Sequence, residues 1–294
     1  MIQSMTDVKS LDEVRLARNS EATIRRLRWL DDRLYWVGNF KRSEFATQYG
    51  ISDAQASGDI ATYLGNSRSP PVLDRRSGLH VAPSNFVPLF DAEEKTLAPW
   101  LRGDGQSSRG LNFVETTLPE PLINPSLLGP LLMAPETRTP VRISYQSMTT
   151  GQPSVRIISP HTIVRASRRF HVRAWDSLRR TFSDFSLARI TASETALDEA
   201  WIPVDADNEW NEFVEIVLVP NPSLSSAQIK MVQQEYSMER GKLAIRTRRA
   251  LAIYAMIEIG IIDLVRQPSA NTSGKLLLPE NAKTLRKLVF GREA

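Results

Sequence analysis

KRSEFATQYGISDAQASGDIATYL, residues Lys41–Leu64, carries the strongest fold signal in this chain of 294 residues. Its spacing predicts a helix over residues 41–49, a turn at Gly50 and a second helix that begins at Ser52, a favourable N-cap residue. The small side chain of Ala46 allows two helices to approach closely, and glycine adopts the positive φ that a tight turn needs. The stretch therefore predicts a helix-turn-helix, with a helical hairpin inside a core as the alternative.

The two faces of the second predicted helix differ in composition. Ala56 and Ile60 fall where this helix should face the core that it shares with the first helix, and Gly65 marks its expected end. The other face carries short polar side chains near the N-terminal end of the helix. In helix-turn-helix proteins this end enters the major groove, where Gln and Ser hydrogen-bond base edges.

The flanking residues extend the motif to a winged helix. Residues 20–38 carry apolar side chains at steps of three and four, between a capping Ser20 and a terminating Gly38, and this pattern predicts an amphipathic helix. Further on, two short apolar pieces at 72–73 and 79–81 surround a polar turn that contains glycine, which predicts a hairpin. Three helices followed by a hairpin is the element order of a winged helix.

This arrangement predicts a DNA-binding surface on the second helix and at the tip of the hairpin. Side chains at the helix N-terminus are expected to contact bases and nearby phosphates, and cations at the hairpin tip are expected to bind backbone phosphate. Taken alone, two arginines at such a tip more often belong to a solvated turn. The predicted DNA-binding residues are Lys41, Arg42, Ser52, Asp53, Gln55, Ala56, Ser57, Tyr63, Arg75 and Arg76.

The remainder of the chain divides into three parts behind a winged helix at residues 1–85. Residues 86–137 contain many prolines, which remove a backbone donor and fix φ, and this part is predicted to be a linker with helical segments. Short alternating runs over residues 138–200 predict a small antiparallel β-barrel. Residues 201–294 mix strand and helix patterns. The fold class is therefore predicted to be α+β and multidomain.

The predicted barrel is rich in arginine. Between Ser154 and Ile190 there are eight arginines and two acidic residues, Asp176 and Asp184. Clustered arginine beside aromatic residues favours a phosphate-bearing or single-stranded nucleic-acid ligand. A basic sheet face in contact with solvent is an equally good explanation. A nucleic-acid-processing enzyme is a further alternative, although the chain lacks the clustered carboxylates that a metal-dependent nuclease needs.

Composition excludes other classes of site. With no cysteine, the chain has no disulfide, cysteine-ligated zinc or cysteine nucleophile, and the three histidines lack metal-binding spacing. The Gly105–Gly110 loop has the glycine spacing of a phosphate loop but is followed by Leu-Asn instead of Lys-Ser or Lys-Thr. We expect no enzyme activity, metal or cofactor. Without a signal-peptide pattern or a long apolar segment, we expect a cytoplasmic protein with no membrane partner.

Several stretches resemble a known family. The middle of the chain resembles a WYL domain, an SH3/Sm-like β-barrel of bacterial ligand-responsive regulators, at Ile143–Tyr145, Ile158–His161, Phe170–Trp175 and Phe185–Ile190. Phe170-His171-Val172 stands where that family has Trp-Tyr-Leu, and the following Arg173-Ala174 matches. The stretches Leu34–Gly38 and Tyr49–Ile60 are similar to the BrxR/CapW repressors found beside BREX and CBASS phage-defence genes.

The resemblance implies a winged helix, a WYL barrel and a C-terminal dimerisation domain. It also implies a sequence-specific transcriptional repressor of a phage-defence operon, relieved by an anionic nucleotide or nucleic-acid effector bound in the WYL domain. The implied partners are double-stranded DNA with an inverted-repeat operator, a second copy of the chain and the effector. The ligand-binding positions that it implies are Tyr145, Ser147, Arg156, His161, Arg173 and Arg189.

A homodimer is also expected from the physics of DNA recognition. One winged helix buries little surface, so specific affinity usually needs two half-sites. Residues 211–294 are predicted to supply most of the interface. Within them, residues 250–262 predict a helix that is apolar over much of its circumference and that belongs either to the interface or to the core of one subunit.

Overall fold

The computed structural model describes residues 20–91, 95–103, 114–115, 119–166, 168–267 and 269–291. The chain divides into two compact units, Met1–Thr117 and Leu118–Ala294. No helix among the described residues is both long and apolar enough to cross a membrane. The Gly105–Gly110 loop lies outside the described residues.

The first unit has the predicted winged-helix order. Its elements are α1 (Glu21–Val37), β1 (Asn39–Lys41), α2 (Arg42–Tyr49), α3 (Asp53–Asn66), β2 (Val72–Asp74), β3 (Leu79–Val81) and α4 (Leu97–Arg102). The three strands form an antiparallel sheet in the order β1-β3-β2. The predicted three helices and hairpin are confirmed, whereas the short strand β1 was not predicted.

Local capping explains where these helices begin and end. The side chain of Ser20 accepts a hydrogen bond from the Thr23 backbone N–H, and the Ser52 side chain accepts one from the Gln55 N–H. Gly50 takes the left-handed conformation at φ +59°, which closes α2 and starts the turn. The expected stop at Gly65 is wrong, because α3 continues through it to Asn66.

Apolar side chains from all three long helices form the core of this unit. Leu27, Leu30 and Leu34 of α1 pack with Phe45 of α2, and the buried residues of α3 are Ala56, Ile60 and Tyr63. Ala56 and Ile60 therefore face the shared core as predicted. This packing fixes the direction of α3, whose opposite face is left exposed.

The second unit combines a five-stranded antiparallel sheet with a smaller α+β segment. The first part contains α5 (Leu128–Thr137), β4 (Val141–Gln146), β5 (Pro153–Ala166), β6 (Arg169–Asp176), β7 (Thr181–Ser186) and β8 (Ile190–Thr195), with sheet order β7-β6-β5-β4-β8. The second part contains α6 (Asn208–Asn211), β9 (Phe213–Pro220), α7 (Ser226–Glu235), β10 (Leu243–Arg248), α8 (Ala252–Ile259), α9 (Ile262–Arg266), β11 (Leu277–Pro279) and α10 (Ala282–Phe290), with sheet order β10-β9-β11.

Helix α5 lies within residues 86–137, which were predicted to be a linker with helical segments. It buries Leu131 and Ala134 in the same core as Val141 and Ile158 of the five-stranded sheet. Pro130 lies in the first helical turn, where a backbone N–H has no partner within the helix, whereas Pro135 lies inside the helix and removes one of its donors. The helix therefore belongs to the fold of the second unit.

The predicted helix over residues 250–262 is interrupted. Gly260 adopts φ +79° and ends α8, and α9 begins two residues later at Ile262. Met256 on α8 and Leu264 and Val265 on α9 pack in one core with Ile216 of β9. Much of this apolar sequence is accordingly used inside one subunit.

Candidate nucleic-acid interface and ligand pocket

A groove of about 630 Å³ separates α3 from the β2–β3 hairpin; we call it the wing groove. Residues 41–43 and residues along α3 from Asp53 to Leu64 line one side of it, and hairpin residues line the other. Apolar side chains line its floor next to cationic and hydroxyl groups at its rim. The lining residues that matter here are Lys41, Arg42, Asp53, Ser57, Leu73 and His80.

Arg42 lies at the rim of the wing groove and is held by α3. Its Nη1 donates to Ser57 Oγ at 3.2 Å, and its Nη2 lies 3.8 Å from Asp53 Oδ2. Ser57 Oγ in turn donates to the Asp53 carbonyl at 2.8 Å. All three side chains remain exposed. The predicted residues of this group therefore lie together on the surface at the N-terminal end of α3.

Gln55 is exposed, yet its amide is already oriented by its own helix. Its Nε2 donates to Asp59 Oδ1 at 3.0 Å. Asp59 is buried and accepts from Arg26 Nε of α1 at 2.6 Å. A side chain that is held in one rotamer loses less entropy on binding a base than a mobile one. The sequence did not reveal this support.

Two of the predicted DNA-binding residues belong to the core. Ala56 and Tyr63 are both fully buried, so neither side chain can reach DNA, and their prediction as contacts is wrong. The Tyr63 hydroxyl donates to Asp31 Oδ1 at 2.5 Å. Burial, followed by the charge of Asp31, raises the pKa of Tyr63 well above its ordinary value, so the phenol remains a hydrogen-bond donor.

The hairpin tip presents two exposed arginines, Arg75 and Arg76. The turn is organised by Asp74, which accepts from the Arg76 N–H at 3.0 Å and from Ser77 Oγ at 2.5 Å. The bond from Ser77 is the main reason that the pKa of Asp74 is lowered. The guanidinium groups are thus carried on a preformed turn at the edge of the hairpin.

A buried carboxylate, Asp31, connects three parts of the first unit and was missed in the sequence. Besides Tyr63 of α3, it accepts from the Leu89 N–H at 2.8 Å and the Phe90 N–H at 3.1 Å, and Lys95 Nζ lies 2.9 Å away. A signal was present, because Asp31 lies four residues after Leu27 on the apolar stripe of α1. A charge on such a stripe indicates a buried polar contact.

In the second unit, four of the six predicted ligand residues line one cavity of about 220 Å³; we call it the Tyr145 cavity. The four are Tyr145, Ser147, Arg156 and Arg189, and they are joined there by Arg179, Asp176 and Asp184. The ring of Tyr145 packs edge-on against Phe185, with centroids 5.1 Å apart, and its hydroxyl accepts from the Ser186 N–H at 3.4 Å.

The arginines of the Tyr145 cavity differ in how firmly they are held. Arg156 donates to Ser154 Oγ at 3.2 Å and lies 3.7 Å from Asp176 Oδ2. For Arg189, no hydrogen bond or ion pair is found within the described residues, and its side chain is half-buried. Arg179 likewise has no side-chain hydrogen bond or ion pair among the described residues, but it is exposed, so we select the half-buried Arg189 as the predicted anion-binding cation.

The other two predicted ligand residues, His161 and Arg173, lie outside the Tyr145 cavity, in a buried ionic network. Arg173 Nε and Nη2 donate to the two oxygens of Asp207 at 2.7 and 3.0 Å, and Nη2 also donates to Glu209 at 3.1 Å. The side chain of Arg173 is only 4% exposed, and its Nε and Nη2 atoms donate to these carboxylates. These contacts support a structural role, and ligand binding by Arg173 stays a prediction.

His161 occupies the same network. Its Nε2 lies 3.2 Å from Asp207 Oδ2, its Nδ1 lies 2.9 Å from Thr162 Oγ1, and its ring packs against Trp210. Burial lowers the pKa of His161 below the usual value for histidine. The structure places His161 in this network and outside the Tyr145 cavity, and its contact with the ligand stays a prediction.

Three family models match the chain in order: the BrxR winged helix-turn-helix domain at residues 22–97, the WYL domain at 126–195 and the BrxR C-terminal dimerization domain at 213–285. The DNA-binding transcriptional repressor CapW of Pseudomonas aeruginosa is 33% identical over 247 residues, which are 81% of this chain and 82% of the relative. CapW of Stenotrophomonas maltophilia is 29% identical over 252 residues, 82% of this chain and 84% of the relative.

A weaker similarity connects the chain to a solved structure. The proteasome accessory factor PafBC of Arthrobacter aurescens is 14% identical, with a TM-score of 0.28. The match covers 91% of this chain and 45% of that one.

The predicted order of winged helix, WYL domain and C-terminal dimerisation domain is confirmed by the family models.

Proposed function

Because the chain belongs to the BrxR/CapW family of DNA-binding transcriptional repressors, we propose that it represses a phage-defence operon by binding an inverted-repeat operator as a homodimer. An anionic nucleotide or nucleic-acid effector, bound in the Tyr145 cavity, relieves the repression. The operon and the effector are supported by the family resemblance and by the chemistry of the cavity.

The observation that carries the DNA-binding part is the wing groove. In this groove the exposed N-terminal half of α3 lies beside the hairpin, whose tip carries two cations. The backbone N–H groups at the N-terminus of α3 also favour anions such as phosphate. Gln55 and Ser57 are assigned to base edges. Arg75 and Arg76 are assigned to phosphate, which contributes affinity for any sequence.

Replacing Gln55 by alanine is expected to weaken operator binding by about 1–3 kcal/mol and to leave binding to random DNA unchanged, because only a base contact distinguishes sequences. Arg75→Ala is expected to weaken both kinds of binding and to reduce the salt dependence by about one ion. Titrations with operator and random duplexes at several salt concentrations measure both effects. Gln234→Ala and Lys230→Ala on exposed α7 are the controls. Equal affinity of Gln55→Ala and the parent for operator would show that the docking is wrong.

The full chain is expected to be a homodimer at micromolar concentration and to protect two half-sites whose centres lie about 10 base pairs or a multiple apart, because two-fold symmetry of the protein is mirrored in the DNA. Light scattering gives the mass, and footprinting gives the spacing. The family model of a C-terminal dimerization domain over residues 213–285 supports this part of the proposal. A monomeric mass in the presence of operator would exclude it.

Arg189→Ala is expected to weaken binding of an anionic probe to the Tyr145 cavity by about tenfold or more while operator binding persists, since a charge-assisted hydrogen bond contributes about 1.5–3 kcal/mol. The probe is the single-stranded tetranucleotide pTpTpTpT, titrated into the full chain by calorimetry. Arg169→Ala, exposed on β6 and outside the cavity lining, is the control. If Arg189→Ala loses operator affinity and binds the probe normally, the cavity belongs to a second DNA-binding surface.

A further inference from the structure

The carboxylate of Asp184 lies between two parts of the second unit and contacts both. It lines the Tyr145 cavity, and it also contacts the segment that follows the five-stranded sheet. Its Oδ2 accepts a hydrogen bond from the hydroxyl of Tyr254 at 3.1 Å. Because Tyr254 lies on α8, this one side chain joins the wall of the cavity to a helix within residues 213–285, the range of the C-terminal domain.

The second oxygen of Asp184 faces the buried ionic network. Oδ1 accepts from Arg173 Nη1 at 3.4 Å, and the two residues are direct partners in the β6–β7 register. Arg173 is in turn bound to Asp207, which precedes α6. The side chains of Arg173 and Asp207 are 4% and 1% exposed, whereas that of Asp184 is 16% exposed. Asp184 is thus the member of this network that opens towards the cavity.

An anion that enters the Tyr145 cavity is attracted by the cationic side chains that line it and repelled by the acidic ones. Arg156, Arg179 and Arg189 attract it, and the carboxylates of Asp184 and of Asp176, which lies 3.7 Å from Arg156, repel it. The repulsion is smallest when Asp184 is drawn back towards Arg173 and Tyr254, where two donors compensate its charge. A bound anion therefore favours this donor-bound position of Asp184 over any position closer to the cavity. Such a difference is what a ligand needs in order to shift a conformational equilibrium.

We propose that Asp184 is the positioning residue that transmits occupancy of the Tyr145 cavity to α8 through its hydrogen bond with Tyr254. This inference rests on the proposed binding of an anionic effector in the same cavity. The Tyr254 hydroxyl is a constant donor in this arrangement, because burial and the charge of Asp184 raise the pKa of Tyr254. An arriving anion tightens the contacts of Asp184 with Tyr254 and Arg173, and α8 becomes more firmly held.

The test is hydrogen exchange of the backbone amides of residues 252–259 in the full chain, with and without pTpTpTpT. In the parent protein, saturating probe is expected to slow this exchange several-fold. Tyr254→Phe should bind the probe with affinity within about twofold of the parent and lose the change in exchange, because the phenyl ring cannot donate to Asp184. Tyr236→Phe, an exposed tyrosine on the same unit, is the matched control.

We call the transmission from the Tyr145 cavity through Asp184 to α8 the relay. The Asp184→Asn variant distinguishes the relay from a merely structural contact. Removing the charge should strengthen probe binding by about five- to tenfold, because one repulsive charge is lost, and should abolish the change in exchange. Weaker probe binding by Asp184→Asn, or a normal exchange response in Tyr254→Phe, overturns the relay. If Asp184→Asn does not fold, Tyr254→Phe decides.

The same measurement distinguishes failure of the relay from failure of the proposed effector. A parent protein that binds the probe but shows no change at residues 252–259 overturns the relay and leaves the effector site intact. A parent protein that does not bind the probe by calorimetry contradicts the proposed effector class. In that case the inference about Asp184 also fails, because it rests on the binding of an anionic effector in this cavity.

Discussion

Arg173→Ala is expected to lower the free energy of unfolding of the second unit by about 3–5 kcal/mol, because removing one member of a buried ion pair leaves its partners charged and uncompensated. The partners are Asp207, Asp184 and Glu209, of which Asp207 is almost fully buried. An effect of this size is a large part of the total stability of an ordinary domain. Urea titration of the full chain measures it, and hydrogen exchange over residues 169–176 assigns the loss to β6.

A matched control lies four residues away. Arg169 is on the same strand but exposed, and Arg169→Ala is expected to change the free energy of unfolding by less than about 0.5 kcal/mol. Arg173→Lys retains the charge but cannot reproduce the two parallel bonds to Asp207, so its cost should be intermediate. If Arg173→Ala is as stable as the parent and fails only to bind the anionic probe, Arg173 is a ligand residue, as the resemblance implied.

The elements of the first unit could be predicted closely from the sequence because their signals are local. Ser20, Ser52, Gly38 and Gly50 stand at the helix boundaries, and each acts through neighbours within a few residues. The exception was Gly65, an exposed residue inside α3 whose backbone remains helical. Glycine is only mildly unfavourable within a helix, so packing of the residues around it decides.

The sequence predicted helical segments within residues 86–137 but not the packing of α5, because proline content describes local backbone preference and contains no information on tertiary contacts. Pro130 falls in the first turn of α5, where its missing N–H costs little, but Pro135 lies inside the helix and removes a hydrogen bond. Burial of Leu131 and Ala134 against the five-stranded sheet then stabilises the helix. Both effects depend on where the helix begins and on what it meets, and neither can be read from composition.

In the candidate sites, too, local patterns could be predicted from the sequence, whereas contacts with distant residues could not. Tyr145, Ser147, Arg156 and Arg189 come together in one cavity, as the resemblance implied, because β4, β5 and the turn after β7 converge there. Alternation along β6 predicts that Arg173 faces away from the apolar core, and it does. That this face is covered by Asp207 and Tyr254 depends on residues far along the chain. No pattern within β6 contains that information.

Asp31→Ala is expected to destabilise the winged helix by about 3–5 kcal/mol and, in consequence, to weaken operator binding, because it removes the shared acceptor of a buried polar network. The Tyr63 hydroxyl and the Leu89 and Phe90 N–H groups would remain buried without that acceptor. Lys95 would keep its contact with Asp32, which limits the loss. Tyr63 lies on α3, so the effect reaches the helix that is proposed to read DNA.

The prediction for Asp31 is tested with two variants, Asp31→Ala and Asp31→Asn, and with the control Glu21→Ala. Asp31→Asn keeps an acceptor oxygen without the charge, and it should cost about 1–3 kcal/mol, less than alanine. Glu21→Ala on the same helix removes an exposed carboxylate whose one ion pair is 3.8 Å long, and it should cost less than about 0.5 kcal/mol. Hydrogen exchange over α3 and operator titration are the measurements. If Asp31→Ala leaves exchange in α3 unchanged, the buried carboxylate does not support that helix, and its contacts with Tyr63 and Lys95 contribute no net stability.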